Sequence, residues 1–440
     1  MKALRSVALV VFAASLVAAS AQESPDPVAT LGRIGQRVLY DLATLPRYTC
    51  VQSITRTYYD APARVHRPTC AKLIEEQKTR KHELRVSGWD RLRLDVALAE
   101  NRTIFSWAGA PRFSDDTLDK LAGRGPLGSG DFGTFLHEIF LRGTVVFRGE
   151  EVADGRHLLD YSYDMPLERS TYGVKAHDGW ALTAHHGSLV LDPEAADIIK
   201  LVVETAELPE GVPACQATSE VTYGRTPIRE RMILIPRETR LRTIDRPGSE
   251  ASSVTLFANC REYGSSGRMV LDETGGAGEN AAEGAPALFA GTGLPAGLRF
   301  DTRIVTPIDS DTAAAGDEME AVLQSPLRDA KKAVIAPAGT RVHGRLIRVE
   351  YLERPVDRFE IAVRMESIEI GGKRVALRAT SYPPRVRYTV HLDPGAEALL
   401  SRFLDPFDSA TFFFRADHLR LKHLDSDWVT VDPDTGKPKN

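Results

Sequence analysis

Most of the marks that betray an enzyme or a membrane protein are missing from this sequence. It has 4 cysteines in 440 residues. None lies in a C-x-x-C, which removes a zinc ribbon and a thioredoxin-like redox pair. There is no G-x-S-x-G nucleophile elbow and no Walker loop. His137-Glu138 begins like a zinc-protease motif, but Leu141 stands where the second histidine belongs. Neither sign of charge prevails: 56 basic against 60 acidic residues leave −4. No basic field therefore attracts nucleic acid or an anionic membrane. Aromatics make up only 7%. Past the first residues no apolar run approaches the roughly 18 needed to span a bilayer as a helix. No transmembrane segment is expected in the mature chain. No catalytic residue, metal ligand or cofactor is assigned.

What is present begins with residues 1–21. Lys2 and Arg5 precede the apolar "SVALVVFAASLVAAS", and Ala19-Ser20-Ala21 supplies small residues before Gln22. This is the pattern of a cleaved secretory signal. The protein is read as exported, with the periplasm as destination ahead of the outer-membrane surface or the medium. Export permits disulfides among Cys50, Cys70, Cys215 and Cys260. Three pairings are open. The one that closes the shortest loops, Cys50–Cys70 with Cys215–Cys260, is preferred.

The body of the chain is mainly β with a few helices. Val28, Leu31, Ile34, Val38, Leu42 and Leu45 recur at helical spacing before Pro46. Extended stretches follow, of which "DRLRLDVAL" alternates most cleanly. A helix is expected from Ser114 to Gly123, and another in "GDFGTFLHEIFLRG". Strands then form a meander up to Tyr263. Residues 273–293 are dominated by Gly and Ala and read as a flexible linker. Pro295-Ala296-Gly297 and Pro337-Ala338-Gly339 each lead into an alternating strand. Gly371-Gly372 is the expected turn of a hairpin. The domains are thus a signal at 1–21, a first β-rich domain at 22–272, the linker, a second β-rich domain at 294–434 and a disordered tail at 435–440.

One motif invites a cofactor. Gly123 to Gly128, "GRGPLG", fits G-x-G-x-x-G. A dinucleotide site needs a strand before these glycines and a helix after them, inside a parallel unit. Here they follow a helical stretch, so the loop is read as a connection or hinge. Gly128 and Gly130 would let the helix bearing Phe132, Phe135, Leu136, Ile139 and Phe140 swing as a lid over an apolar ligand. His185-His186 lies near Asp192, but neighbouring strand residues point to opposite faces, which does not suit one metal site. Phe412 to Phe414 is read as sheet interior.

Two resemblances accompany these residues. The exported start, amphipathic first helix, long meander, inserted helices and the phrase from Leu189 to Glu194, "LVLDPE", make residues 22–265 similar to the LolA-like lipoprotein-carrier fold. That likeness implies an unclosed antiparallel half-barrel with a helical lid over a pocket for acyl chains. "LPAGLRFDTRIVTPIDSD" and "VIAPAGTRVHGRLIRVEY" resemble the periplasmic β-barrel domain of TrbI/VirB10 proteins of conjugation and type IV secretion. That likeness covers residues 294–380 and implies a smaller β-barrel-like domain for assembly or partner binding. The pairing of the two also resembles exported proteins of soil bacteria such as the acidobacteria. Together they imply a non-enzymatic envelope protein, with an acyl-chain or lipoprotein ligand and an envelope protein as partners. A purely structural assembly component is the alternative, and an exported hydrolase is a third.

Overall fold

The computed structural model describes residues 26–99, 102–110, 121–123, 125–128, 133–262, 293–353, 357–382 and 408–432. Residues 1–21, 273–292 and 435–440, most of the helix expected from Ser114, and the lid residues Gly130 and Phe132 lie outside the described residues.

The described chain is mainly β. Among the described residues three helices have both ends defined: α1 (Pro27–Ala43), α2 (Cys70–Thr79) and α3 (Thr134–Arg142). The first block holds β1 (Tyr48–Tyr59), β2 (Val86–Ala99), β3 (Arg102–Trp107), β4 (Thr144–Ala153), β5 (Arg156–Met165), β6 (Gly173–Ala176), β7 (Gly179–Leu182), β8 (His185–Asp192), β9 (Asp197–Thr205), β10 (Ala214–Ile228), β11 (Arg231–Asp245) and β12 (Glu250–Glu262). The second holds β13 (Arg299–Ile304), β14 (Ile308–Asp309), β15 (Glu318–Leu323), β16 (Leu327–Arg328), β17 (Val334–Ala336), β18 (Arg341–Leu352), β19 (Arg358–Ile370), β20 (Lys373–Ala376), β21 (Ala379–Ser381), β22 (Ala410–Phe414), β23 (Arg420–Leu421) and β24 (Leu424–Thr430).

Local chemistry explains the elements. Asp26 accepts the Val28 N–H at 3.0 Å and Pro27 opens the first turn, so α1 starts there. Ile34 and Val38 face the core. Val28 belongs to the same apolar row, but it sits at the capped end and stays exposed. In β2 the residues Leu92, Leu94 and Val96 are buried while Arg91, Arg93 and Asp95 are less so, as a two-residue period requires. Between β8 and β9, Asp192 accepts the backbone N–H groups of Glu194 and Ala195, which makes the Asp-Pro turn.

The first block is one antiparallel sheet in the order β3–β2–β1–β12–β11–β10–β9–β8–β5–β4. Among the described residues its end strands β3 and β4 do not pair with each other, so the sheet is unclosed. In the second block, pairings run β13–β15–β18–β19–β20. After Leu377 and Arg378 the chain resumes as β21, which pairs β24, and β24 returns to β13. The path is barrel-like. The expected turn Gly371-Gly372 joins β19 to β20, with φ of +56° and +73° that glycine adopts without strain. Gly297 and Gly339 likewise carry positive φ just before β13 and β18. Phe412 is buried in this core, whereas Phe413 is exposed under the alternation of β22.

The sheet continues across the two blocks. β2 pairs β18 with Asp90 opposite Glu350, Trp89 opposite Tyr351 and Gly88 opposite Leu352. Any side chain at Gly88 would meet the Tyr351 carbonyl oxygen at 2.5 Å. The Trp89 ring stacks on Tyr351 at 6.0 Å and meets Phe359 edge-on at 5.8 Å.

The cysteine pairing corrects the expected one. Cys50 bonds Cys260 and Cys70 bonds Cys215. Cys50 lies on β1 and Cys260 on β12, strands that are adjacent in the sheet. Cys70 opens α2, which packs beside Cys215 of β10. Nearness in sequence gave no guide, because the meander brings its first strand back to its last.

Candidate functional site

The helices α1 and α3 cover one face of the sheet. That face presents Leu159, Tyr161 and Tyr163 from β5, Leu189 and Leu191 from β8, Ile198, Leu201 and Val203 from β9, and Val221 and Tyr223 from β10. Two glycines let the helices close on each other. A Cβ at Gly35 of α1 would fall 2.8 Å from the Phe140 ring, and one at Gly133 would fall 2.3 Å from Leu42.

The expected lid residues on α3 divide between two environments. Leu136 and Ile139 are buried in the core, and Phe135 and Phe140 are half-buried against it. Phe135 meets Tyr172 edge-on at 4.8 Å. Gly128 is buried too. A Cβ there would come within 2.8 Å of the Thr239 methyl, and its N–H donates to the Ser253 hydroxyl at 3.3 Å.

Beneath α3 lies a group of polar side chains that stand far apart in the chain. Glu138 is 4% exposed and His185 1%. Glu138 Oε1 accepts the Thr171 N–H at 2.5 Å. Glu138 Oε2 faces His185 Nε2 at 3.7 Å, and neither atom has a hydrogen-bond partner among the described residues. On the far side of the imidazole, Nδ1 lies 3.2 Å from the Tyr163 hydroxyl. Burial pushes the Tyr163 pKa up, so this hydroxyl keeps its proton and can donate to Nδ1. Where the hydroxyl donates, the imidazole proton sits on Nε2, facing Glu138. Phe135, Tyr163 and Tyr172 surround the ring edge-on at 5.7 to 5.8 Å. Burial lowers the pKa of His185, and the nearby Glu138 carboxylate opposes that shift only in part. The chemistry is that of a neutral, cage-held imidazole, closed to solvent.

Some signal for this group was present. Glu138 is a charged residue set among Leu136, Ile139 and Phe140 on an apolar helix face, which calls for a partner. His185 and His186 part as strand geometry demands: His185 is buried and His186 exposed.

The glycine motif contacts a cation. Gly125, with φ +149°, lies where a Cβ would stand 2.5 Å from the Tyr58 hydroxyl and 2.9 Å from Arg56 Nη1. No strand leads into this loop among the described residues. Elsewhere, Asp309, Asp311 and His418 bring ligand atoms within 4.8 Å of one another. Arg420 already holds Asp309 at 3.0 Å, so one of the two carboxylates is engaged. Beside it a groove of ≈ 380 Å³ runs between Arg93 of β2 and Ile308, Asp317 and Met319 of the second block. Sequence reasoning missed both, since their members stand far apart in the chain.

Comparisons with known proteins come from structure alone. No family model matches this chain, and no curated protein does. Several solved structures resemble it, three of which follow. One is a domain assigned to outer membrane lipoprotein sorting, from Vibrio parahaemolyticus, at 13% identity and TM-score 0.27 over 53% of this chain and 92% of that one. A DUF1329 family protein from Desulfovibrio piger follows at 11% identity and TM-score 0.26, covering 54% and 94%. A LolA superfamily protein from Nitrosomonas europaea has 11% identity and TM-score 0.24, covering 52% and 94%.

Proposed function

We propose that this chain is an exported, non-catalytic envelope protein whose first block binds a lipid, a lipoprotein or another apolar ligand at the sheet face covered by α1 and α3. The observation that carries the proposal is the nature of the cover. α3 is no part of the sheet ladder and attaches through side chains, mainly Phe135, Leu136, Ile139 and Phe140. An apolar helix held this way can part from an apolar face and leave room for acyl chains. Two disulfides fit an oxidising compartment such as the periplasm. Gly128 would stand ahead of the moving segment. The second block would engage an envelope partner or assemble.

The test is mass spectrometry of an organic extract from gently purified protein. A stoichiometric acyl-chain ligand is expected. It should be lost in a Phe135→Asp, Phe140→Asp double variant whose sheet remains folded by circular dichroism. Full retention in that folded variant overturns the lid role, and a blank extract from folded wild type overturns the ligand.

A further inference from the structure

We propose that Glu138 on α3 and His185 on β8 form a pH-sensitive latch that holds α3 down on the sheet near neutral pH and releases it on acidification. The latch rests on α3 being the cover of the ligand face, but its test needs no ligand.

The geometry supplies a charge-sensitive contact at the centre of the cover. Glu138 is anchored by the Thr171 N–H at 2.5 Å, and its other oxygen is aimed at His185 Nε2 at 3.7 Å. The imidazole is pinned from behind by Tyr163 at 3.2 Å. The groups that face it are known from each element packed on it. Glu138 from α3 and Asp164 from β5 favour the protonated ring, and His186 on β8 itself disfavours it. Tyr163 of β5 and Tyr172 before β6 are neutral hydroxyls. Burial outweighs the two carboxylates, and the pKa of His185 is lowered below its ordinary 6.5.

The sign follows from linkage. With α3 raised, His185 meets water and titrates near 6.5; with α3 down, it titrates lower. Closure is therefore fully favoured above about pH 6.5 and weakens as pH falls toward the lowered value. Each pH unit inside that window changes the closed-to-open ratio by up to about tenfold.

Hydrogen exchange of the full chain reads this directly at residues 134–142, after division by the intrinsic rate at each pH. We expect these amides to exchange roughly tenfold faster at pH 5.0 than at pH 7.5, while β9 and β10 stay unchanged. In His185→Gln, which removes the imidazole, the two pH values should give equal protection. No acceleration in the wild type, or the same acceleration in His185→Gln, overturns the latch. Should His185→Gln fail to fold, Glu138→Gln decides instead. Removing the carboxylate leaves the protonated ring without its counter-charge on α3, so acceleration at pH 5.0 must exceed the wild type's; an equal or smaller one overturns the latch. A ligand found by extraction with no acid opening would retain the binding function and remove only the latch. Acid opening with a blank extract would do the reverse.

Discussion

Arg56 and Asp90 face each other across β1 and β2, with Nε to Oδ1 at 2.7 Å and Nη2 to Oδ2 at 2.9 Å, both side chains fully buried. The Tyr58 hydroxyl donates to the same carboxylate at 2.9 Å. Gly125 packs over this group, and Glu350 of the second block lies near Arg56. Asp90 is itself paired with Glu350 in the β2–β18 ladder, so the ion pair stands where the two blocks meet.

Asp90→Ala removes the carboxylate that two nitrogens of the buried Arg56 guanidinium donate to. Loss of one partner of a buried pair costs about 3–5 kcal/mol. The expected outcome is a fall of that size in the unfolding free energy obtained from urea denaturation. A change below about 1 kcal/mol, the range of exposed pairs, would show that water reaches Arg56.

Gly125→Ala places a Cβ against Tyr58 and Arg56 at a φ of +149°. A loss of about 1–3 kcal/mol is expected from the strained backbone alone. Calorimetry should show a lower melting temperature, and titration with nucleotides should give no heat with either protein. Nucleotide binding by the wild type that the variant loses would restore the cofactor meaning of the glycine motif.

Cys50–Cys260 and Cys70–Cys215 span 210 and 145 residues. Chain entropy assigns a loop of that length about 5 kcal/mol, and removal of native bridges typically costs about 2–5 kcal/mol. Peptide mapping without reductant should recover these two pairs. Cys70→Ser with Cys215→Ser should destabilise the first block by several kcal/mol. Recovery of a Cys50–Cys70 peptide would contradict the folded arrangement.

Gly88→Val pushes two methyls toward the Tyr351 carbonyl, only 2.5 Å from where its Cβ must stand. The β2–β18 ladder should part. Thermal unfolding is expected to change from one transition to two, as the blocks lose their shared strands. A single unshifted transition would mean that the ladder contributes little to their coupling.

A good share of the fold was legible because it rests on local rules. The alternation of Leu92, Leu94 and Val96, the turn at Gly371-Gly372, and the Asp192 turn all follow from residues a few positions apart. The candidate site was legible only in pieces. Leu136 and Ile139 announced an apolar helix face, and His185 and His186 announced opposite strand faces. That Glu138 meets His185 did not follow, since no periodicity links a helix to a strand beginning more than forty residues later.

The sequence by itself determined the strand-rich character, the helices' apolar faces and the positions where glycine must turn the chain, because backbone sterics and side-chain alternation act over a few residues. Only the tertiary structure decided which cysteines bond, that β2 continues into β18, that the glycine loop rests on Arg56, and that a buried carboxylate faces a buried imidazole. Those contacts join distant parts of the chain. They are selected by the joint burial of apolar faces and the need to satisfy buried charge, which no short window of sequence contains.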